Sequence, residues 1–220
     1  MKTQYQWLPV VVVVMLALLA LPVLAETTAD ATSGAKLPAY EPAKTTVVVM
    51  PVVNQTGKQQ GKEENEGAQS ATDLLTKAFA DRGFVVVSAA DVAAYIAEHK
   101  LDLKDEDSRT KANLLDVGKA LKANIVLCGV LQELSSSMHV SFFSTRKVGK
   151  AKLQVKAVDV GSEMYLINDV FEGRKKGSTF APGFEKAKTT RNASISESVE
   201  NVLGDLLKPY PVVNKPQEKS

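Results

Sequence analysis

The sequence predicts a mixed α/β domain: a central sheet with a parallel βαβ first part and an antiparallel second part, packed by helices that include a C-terminal one. Three observations carry this. The runs Val47-Val48-Val49-Met50 and Ile125-Val126-Leu127-Cys128-Gly129-Val130 have no polar face, so both read as inner strands covered on two sides. Helical periodicity fills the chain between them, as a βαβ unit requires. Beyond residue 150 the pattern becomes strict alternation with turn signals, the mark of antiparallel strands with one wet face.

The N-terminus stands apart from that fold. Lys2, an apolar stretch over residues 8–21 and the ending Val23-Leu24-Ala25 have the layout of an export signal, with cleavage expected after Ala25. An uncleaved anchor is the alternative reading, because residues 7–25 approach bilayer length; Pro22 and the small-residue ending favour cleavage. The expected location is therefore the periplasm. No cysteine stands at the expected cleavage site, so there is no lipobox, and association with a membrane is left open. Residues 26–44 are rich in Thr, Ala, Ser, Gly, Lys and Pro without a period and read as a flexible leader. Residues 45–208 are expected to form one domain and residues 209–220 a flexible tail.

Composition narrows the function classes. With 220 residues, 45% hydrophobic and 24% charged, the chain matches an ordinary globular domain. A formal charge of +2 gives no overall basic character, so nucleic acid is not expected as a partner, and Arg174-Lys175-Lys176 reads as a solvated loop.

In chain order, the strand at residues 45–53 should lose its regular pairing near Met50 to Val53, because Pro51 has no N–H to donate. Residues 55–67 are polar and glycine-bearing and are expected to form an exposed loop; their glycines lack the spacing of a phosphate loop. Ala71, Leu74, Leu75, Ala78 and Phe79 mark a helix over residues 70–82, ended by Gly83. Phe84-Val85-Val86-Val87 follows as a strand parallel to the first. Ser88 caps a helix running to His99, and Leu114, Leu115, Gly118 and Leu121 mark another over residues 108–122, where Gly118 implies close packing.

The second inner strand spans residues 123–131, with a bulge or close approach at Gly129. Residues 138–146 are strand-like, and Leu153, Val155 and Ala157 alternate with Lys152, Gln154 and Lys156. Asp159-Val160-Gly161-Ser162 is a hairpin turn, after which Tyr165, Ile167 and Phe171 are expected on one face of a strand over residues 163–171, interrupted by Asp169. Residues 172–190 read as a polar connection. A final helix over residues 192–208 has Ile195, Val199, Val202 and Leu206 on its stripe, widened by Leu203 and Leu207, and Pro209 and Pro211 stop it.

Residues with catalytic or ligand chemistry are scattered. Cys128, the one cysteine, sits in an apolar run and reads as a packed thiol. His99 and His139 belong to no triad or metal spacing, and Asp105-Glu106-Asp107 lacks the calcium-loop pattern. No catalytic, cofactor or metal residue is assigned, and none of these ligands is expected.

The assembled order resembles the envelope α/β superfamily of the curli secretion channel, the lipoprotein activators of penicillin-binding proteins and the N-terminal domain of TolB. The motifs that carry it are Met50-Pro51-Val52-Val53-Asn54, Gly83-Phe84-Val85-Val86-Val87, residues 117–129 and residues 155–163. The resemblance implies a periplasmic, non-enzymatic domain that binds an envelope protein or self-associates. A component of a curli-like outer-membrane secretion system and a periplasmic hydrolase or small-ligand enzyme are the alternatives. The chain departs from the lipidated members by lacking their N-terminal cysteine. Its candidate hairpins, residues 138–147 and 165–176, are short and charged, against a pore, and no propeller repeat follows as in TolB. Partner contact is expected at residues 55–67, 138–150 or 173–188.

Overall fold

The computed structural model describes residues 39–57, 61–140, 145–179 and 187–210. The chain divides into two units, Met1–Lys36 and Leu37–Ser220, and the fold is that of the second. The export signal, its cleavage point and the last ten residues lie outside the described residues.

Six strands form one mixed sheet, as the sequence predicts. Strand β1 (Thr46–Val49) lies between β3 (Val85–Val86) and β4 (Ile125–Val140), parallel to both, and β2 (Val53–Asn54) also runs parallel to β4. Strands β5 (Thr145–Asp159) and β6 (Met164–Thr179) continue the sheet antiparallel, giving the order β3-β1-β4-β5-β6. The break between β1 and β2 follows from Pro51. Met50 N–H still reaches Leu127 O at 2.8 Å, Val52 N–H turns aside to Thr72 Oγ1 at 2.9 Å, and pairing resumes where Val53 meets Val130.

Four helices cover the sheet unequally. Helices α1 (Lys62–Ala80) and α4 (Ala187–Leu207) bury Val47, Val49, Ile125, Leu127, Leu153, Val155 and Phe171 on one face. Helices α2 (Ala89–Glu98) and α3 (Lys111–Ala120) bury Val48, Met50, Val126, Cys128 and Val158 on the other. The uninterrupted apolar run at residues 47–50 is thus divided alternately between two cores, which is why it shows no polar face. Several local expectations hold as well. Gly83 ends α1 at φ +84°, and Ser88 Oγ accepts the Asp91 N–H at 3.1 Å. Gly118 lets the sheet approach so closely that a Cβ there would lie 2.4 Å from Val160 Cγ2, just past β5, and 2.9 Å from Val126 Cγ2 on β4.

Other expectations are corrected. Helix α1 begins at Lys62, so the second half of the supposed loop at residues 55–67 is helical, with Glu64, Gly67 and Ala68 buried. That turn carries no large apolar residue because it crosses Leu134 and Ile195: a Cβ at Gly67 would lie 2.7 and 3.2 Å from their methyl carbons. The separate strands expected at residues 123–131 and 138–146 are instead one 16-residue β4 and the start of β5, and the bulge falls between Leu131 and Glu133. Gly129 supplies the close approach, with a Cβ position 3.0 Å from Val52 Cγ2.

Residues 172–179, expected in a connection, are the second half of β6. Backbone pairing to β5 holds them, and the alternation expected of a strand with one wet face is hidden because the covered position is Gly173, small where α4 crosses. Tyr165 does not share a face with Ile167 and Phe171. A register shift pairs Ile167 with Ala157 and Tyr165 with Val158, on opposite sides of the sheet.

Over residues 190–198 helix α4 comes within backbone range of β5 and β6, because Gly149, Ala151 and Gly173 on the strands and Ser194 and Ser198 on the helix are small there. A Cβ on Gly173 would fall 1.9 Å from Ser194 O, and one on Gly149 would fall 2.4 Å from Thr190 O. Ser198 Oγ lies 3.0 Å from Ser194 O and 3.3 Å from Ala151 O in this seam. At the opposite end, Tyr40 and Tyr210 bring the two ends of the described chain together: Tyr40 N–H donates to Tyr210 Oη at 2.8 Å, and Tyr210 meets Phe84 edge-on at 5.3 Å. Tyr40 Oη also donates to the buried Asp159 carboxylate at 2.7 Å.

Candidate functional site

Three places could meet a ligand or partner: the cleft beyond the parallel strands, the free edge of β6, and the part of the sheet that α2 and α3 leave bare. The cleft has a volume of about 310 Å³ and lies where β2 hands over to α1, bordered by Asn54, Asn65, Gln69, Asp102 and Lys104. Its polar groups are occupied with one another. Asn54 Nδ2 donates to Asn65 Oδ1 at 2.9 Å, Asn54 Oδ1 accepts from Thr56 N and Oγ1, and Gln55 Nε2 donates to Lys104 O at 2.7 Å. Asp102 is the one carboxylate among the lining residues, so no acid pair is available for general acid and base work. The first turn of α1 adds Glu63 and Glu64, which oppose an anion at that helix end.

Sequence-level candidates for chemistry are dispersed. His99 ends α2 stacked on Tyr95 at 3.9 Å between ring centroids, its Nδ1 3.0 Å from Tyr95 O. The His139 side chain lies outside the described residues. Cys128 is buried, and burial pushes its thiol up to about 11 even though Lys156 and Arg109 nearby favour the thiolate, so it is no nucleophile at neutral pH. Among the described residues no group of three or more His, Cys, Asp or Glu side chains could hold a metal ion, and no helix is long and apolar enough to cross a membrane.

The edge of β6 is long, and such edges are templates for pairing with another strand. Here side chains occupy it. Val170 N–H donates to Asp169 Oδ1 at 2.7 Å, Arg174 N–H to Glu197 Oε2 at 3.2 Å, and Asn201 Nδ2 donates to Glu172 O at 2.9 Å. Glu197 and Asn201 belong to α4, so the helix that seals the neighbouring face also reaches round to close this stretch of edge.

Those bonds also fix the geometry of the third surface. Residues of β6 that point N–H and C=O outward cannot bond β5 through them, so Lys152–Glu172 and Lys150–Arg174 are non-hydrogen-bonded cross-strand pairs, the kind with Cα atoms only about 4.5 Å apart. Past Cys128 and Val158 the face opposite α4 keeps Val130 and Val148 buried but is otherwise open. Gln132, Ser135, Lys150, Val170, Glu172, Arg174 and Lys176 are all exposed there. Lys152 is balanced by Glu172 at 2.9 Å and by Glu133 opposite it on β4, and the Lys152 bond and charge, with Lys150 and Arg174 beyond, hold the Glu172 carboxyl below its ordinary value. Lys150 is placed between Ser135 and Arg174, with Lys176 next along β6 on the same face. Arg174 and Lys176, expected from the sequence in a contact loop, stand instead on β6. The signal for this surface was present in the alternation of Lys150, Lys152, Gln154 and Lys156 with Ala151, Leu153 and Val155. Of the expected contact segments, the described residues of 55–67 fall in a bend and in α1, while parts of 138–150 and 173–188 fall on adjoining strands of this sheet.

No family model matches the sequence, and no curated protein matches it. Solved structures show a distant likeness in chain path. Lipoprotein GNA1162 from Neisseria meningitidis is 13% identical with a TM-score of 0.48, over 74% of this chain and 99% of that one. The LpoB C-terminal domain from Salmonella enterica is 17% identical with a TM-score of 0.38, over 64% and 86%. The PelC dodecamer from Paraburkholderia phytofirmans is 14% identical with a TM-score of 0.35, over 77% and 91%.

Proposed function

We propose that this protein is a non-catalytic protein-binding module of the bacterial envelope, working in the periplasm, and that it meets its partner with the bare face of β4, β5 and β6. The observation that carries this reading is the unequal cover of those strands. Helix α4 closes one face down to backbone contact, whereas the opposite face beyond Cys128 and Val158 presents an exposed mixture of Val170, Glu172, Lys150, Arg174 and Lys176. The satisfied cleft and the alkaline, buried Cys128 supply no reactive pair, which supports binding over turnover. The order of a parallel unit followed by antiparallel strands supports membership of the envelope superfamily named above.

The test uses the full chain with its own N-terminal segment, carrying a photo-crosslinking residue in place of Val170 or, as a control, of the exposed Glu98 on α2. The expected result is a discrete protein adduct from position 170 in the osmotic-shock fraction and none from position 98. Recovery of the chain only in the cytoplasm, or no adduct from position 170, would overturn the reading.

A further inference from the structure

The face just described is not uniformly charged, and its unevenness indicates what it binds. Along its β6 margin the side chains run Val170, Glu172, Arg174, Lys176, and across on β5 they run Gln154, Lys152, Lys150, Val148. Lys152 has acidic neighbours on both sides, Glu133 and Glu172. Lys150 has no acid directly opposite it among the described residues: its cross-strand neighbours are Ser135 and Arg174, and Glu172, already bonded to Lys152, is the carboxylate nearest to both cations. A directly opposed like-charge pair destabilises an antiparallel sheet, and the non-hydrogen-bonded geometry brings these two side chains closer than the alternative pairing would. Such a pair becomes favourable when an anion sits between the two cations. Lys176, two residues on from Arg174, extends the demand for negative charge along the strand.

We infer that Lys150, Arg174 and Lys176 form a docking site for an acidic segment of a different protein, with a carboxylate between Lys150 and Arg174 and an apolar side chain on Val170. The inference rests on the binding-module reading and names its partner's chemistry. A continuous polyanion fits less well. Glu133 and Glu172 interrupt the cations and would face the phosphates of a nucleic acid or a lipid surface. The exposed Val170, 41% accessible, asks for an apolar group at a strand distance of four residues, roughly 13 Å, from Arg174. An acidic segment with one apolar anchor meets both demands.

The experiment titrates the full chain with a short labelled polyglutamate peptide carrying one internal leucine, with phosphatidylglycerol vesicles and with a single-stranded oligonucleotide, and repeats each titration on Lys150→Glu/Arg174→Glu and on Lys208→Glu. The polyglutamate affinity is expected to fall about tenfold in the double variant, as for the loss of two exposed ion pairs, and to stay unchanged in Lys208→Glu. Polyglutamate should also suppress the adduct formed from position 170. Equal loss in both variants, tighter binding of vesicles or oligonucleotide through Lys150 and Arg174, or self-association abolished by the double variant would each overturn the inference. An adduct from position 170 that polyglutamate leaves intact would overturn it while sparing the binding-module reading; polyglutamate bound through Lys150 and Arg174 with no adduct would do the reverse.

Discussion

The two faces of β4, β5 and β6 belong to the same strands and differ in how they are finished. On one, Gly149 meets Thr190, and Ala151 and Gly173 meet Ser194 and Ser198, so closely that this part of α4 lies against the sheet backbone. On the other, α2 and α3 reach no further than Cys128 and Val158, and beyond them long charged side chains stand exposed around the buried Val130 and Val148. The difference separates two duties of one sheet. Small residues on the sealed face bring two backbones together and leave no tolerance for added volume. Charged residues on the bare face contribute little to folding and are free to serve recognition.

The largest test of this contrast is Gly173→Ala. Its Cβ would collide with Ser194 O, a backbone atom of a helix that cannot yield locally, so a loss of about 3 kcal/mol is expected in urea unfolding. Gly67→Ala meets only the methyl ends of the Leu134 and Ile195 side chains and should cost about 1 kcal/mol. Equal midpoints for the two variants would mean that α4 is not held at backbone range.

The next effect lies where the sealed face ends. Tyr40→Phe removes the hydroxyl donor to Asp159 and should lower stability by about 1.5 kcal/mol near neutral pH. Burial raises the Asp159 carboxyl, but hydrogen bonds from Tyr40 and from Ser162 and Gly161 outweigh it and hold the group below its ordinary value. A depressed carboxyl stabilises the fold above the unfolded value, about 3.9, and that contribution is lost as pH falls from there through the folded value. Burial, then the bond to Asp159, raise Tyr40, so its share is present below about 10 and is lost only as pH rises through the higher folded value. The difference in thermal midpoint between wild type and Tyr40→Phe should therefore be flat across neutral pH and narrow in acid; a difference that grows in acid would contradict the assigned bond.

A smaller change is expected at the margin between the faces. Glu197→Ala with Asn201→Ala uncovers Arg174 N–H and Glu172 O, at about 1 kcal/mol for the pair. Its sharper consequence is concentration-dependent association by sedimentation, since the uncovered edge becomes a template for a second strand. The smallest effect belongs to the bare face: Lys152→Ala with Glu172→Ala should leave the unfolding midpoint unchanged, because that ion pair is solvated. A clear loss there would assign the bare face a part in folding.

Much of this fold is legible residue by residue. The runs at 47–50 and 125–130, the stripe of α4 through Ile195, Val199, Val202 and Leu206, and the caps at Ser88 and Gly83 follow from periodicity and local backbone chemistry alone. The start of α1 was hidden because Gly67 and Ala68 are small where the helix crosses Leu134 and Ile195, so burial there leaves no apolar signature. The second half of β6 was hidden because its pairing is made by backbone, and Arg174, Lys175 and Lys176 obey no hydrophobic rule on a wet strand.

The sequence by itself determined which segments become inner strands and which residues line the two cores, since both depend on short-range pattern and side-chain polarity. Only the tertiary structure decided which face of β4, β5 and β6 is closed, that α4 side chains stop the β6 edge, and that Lys150 lies opposite Arg174. Those facts depend on strand register and on one bulge in each hairpin partnership, where a shift of a single residue exchanges the two faces.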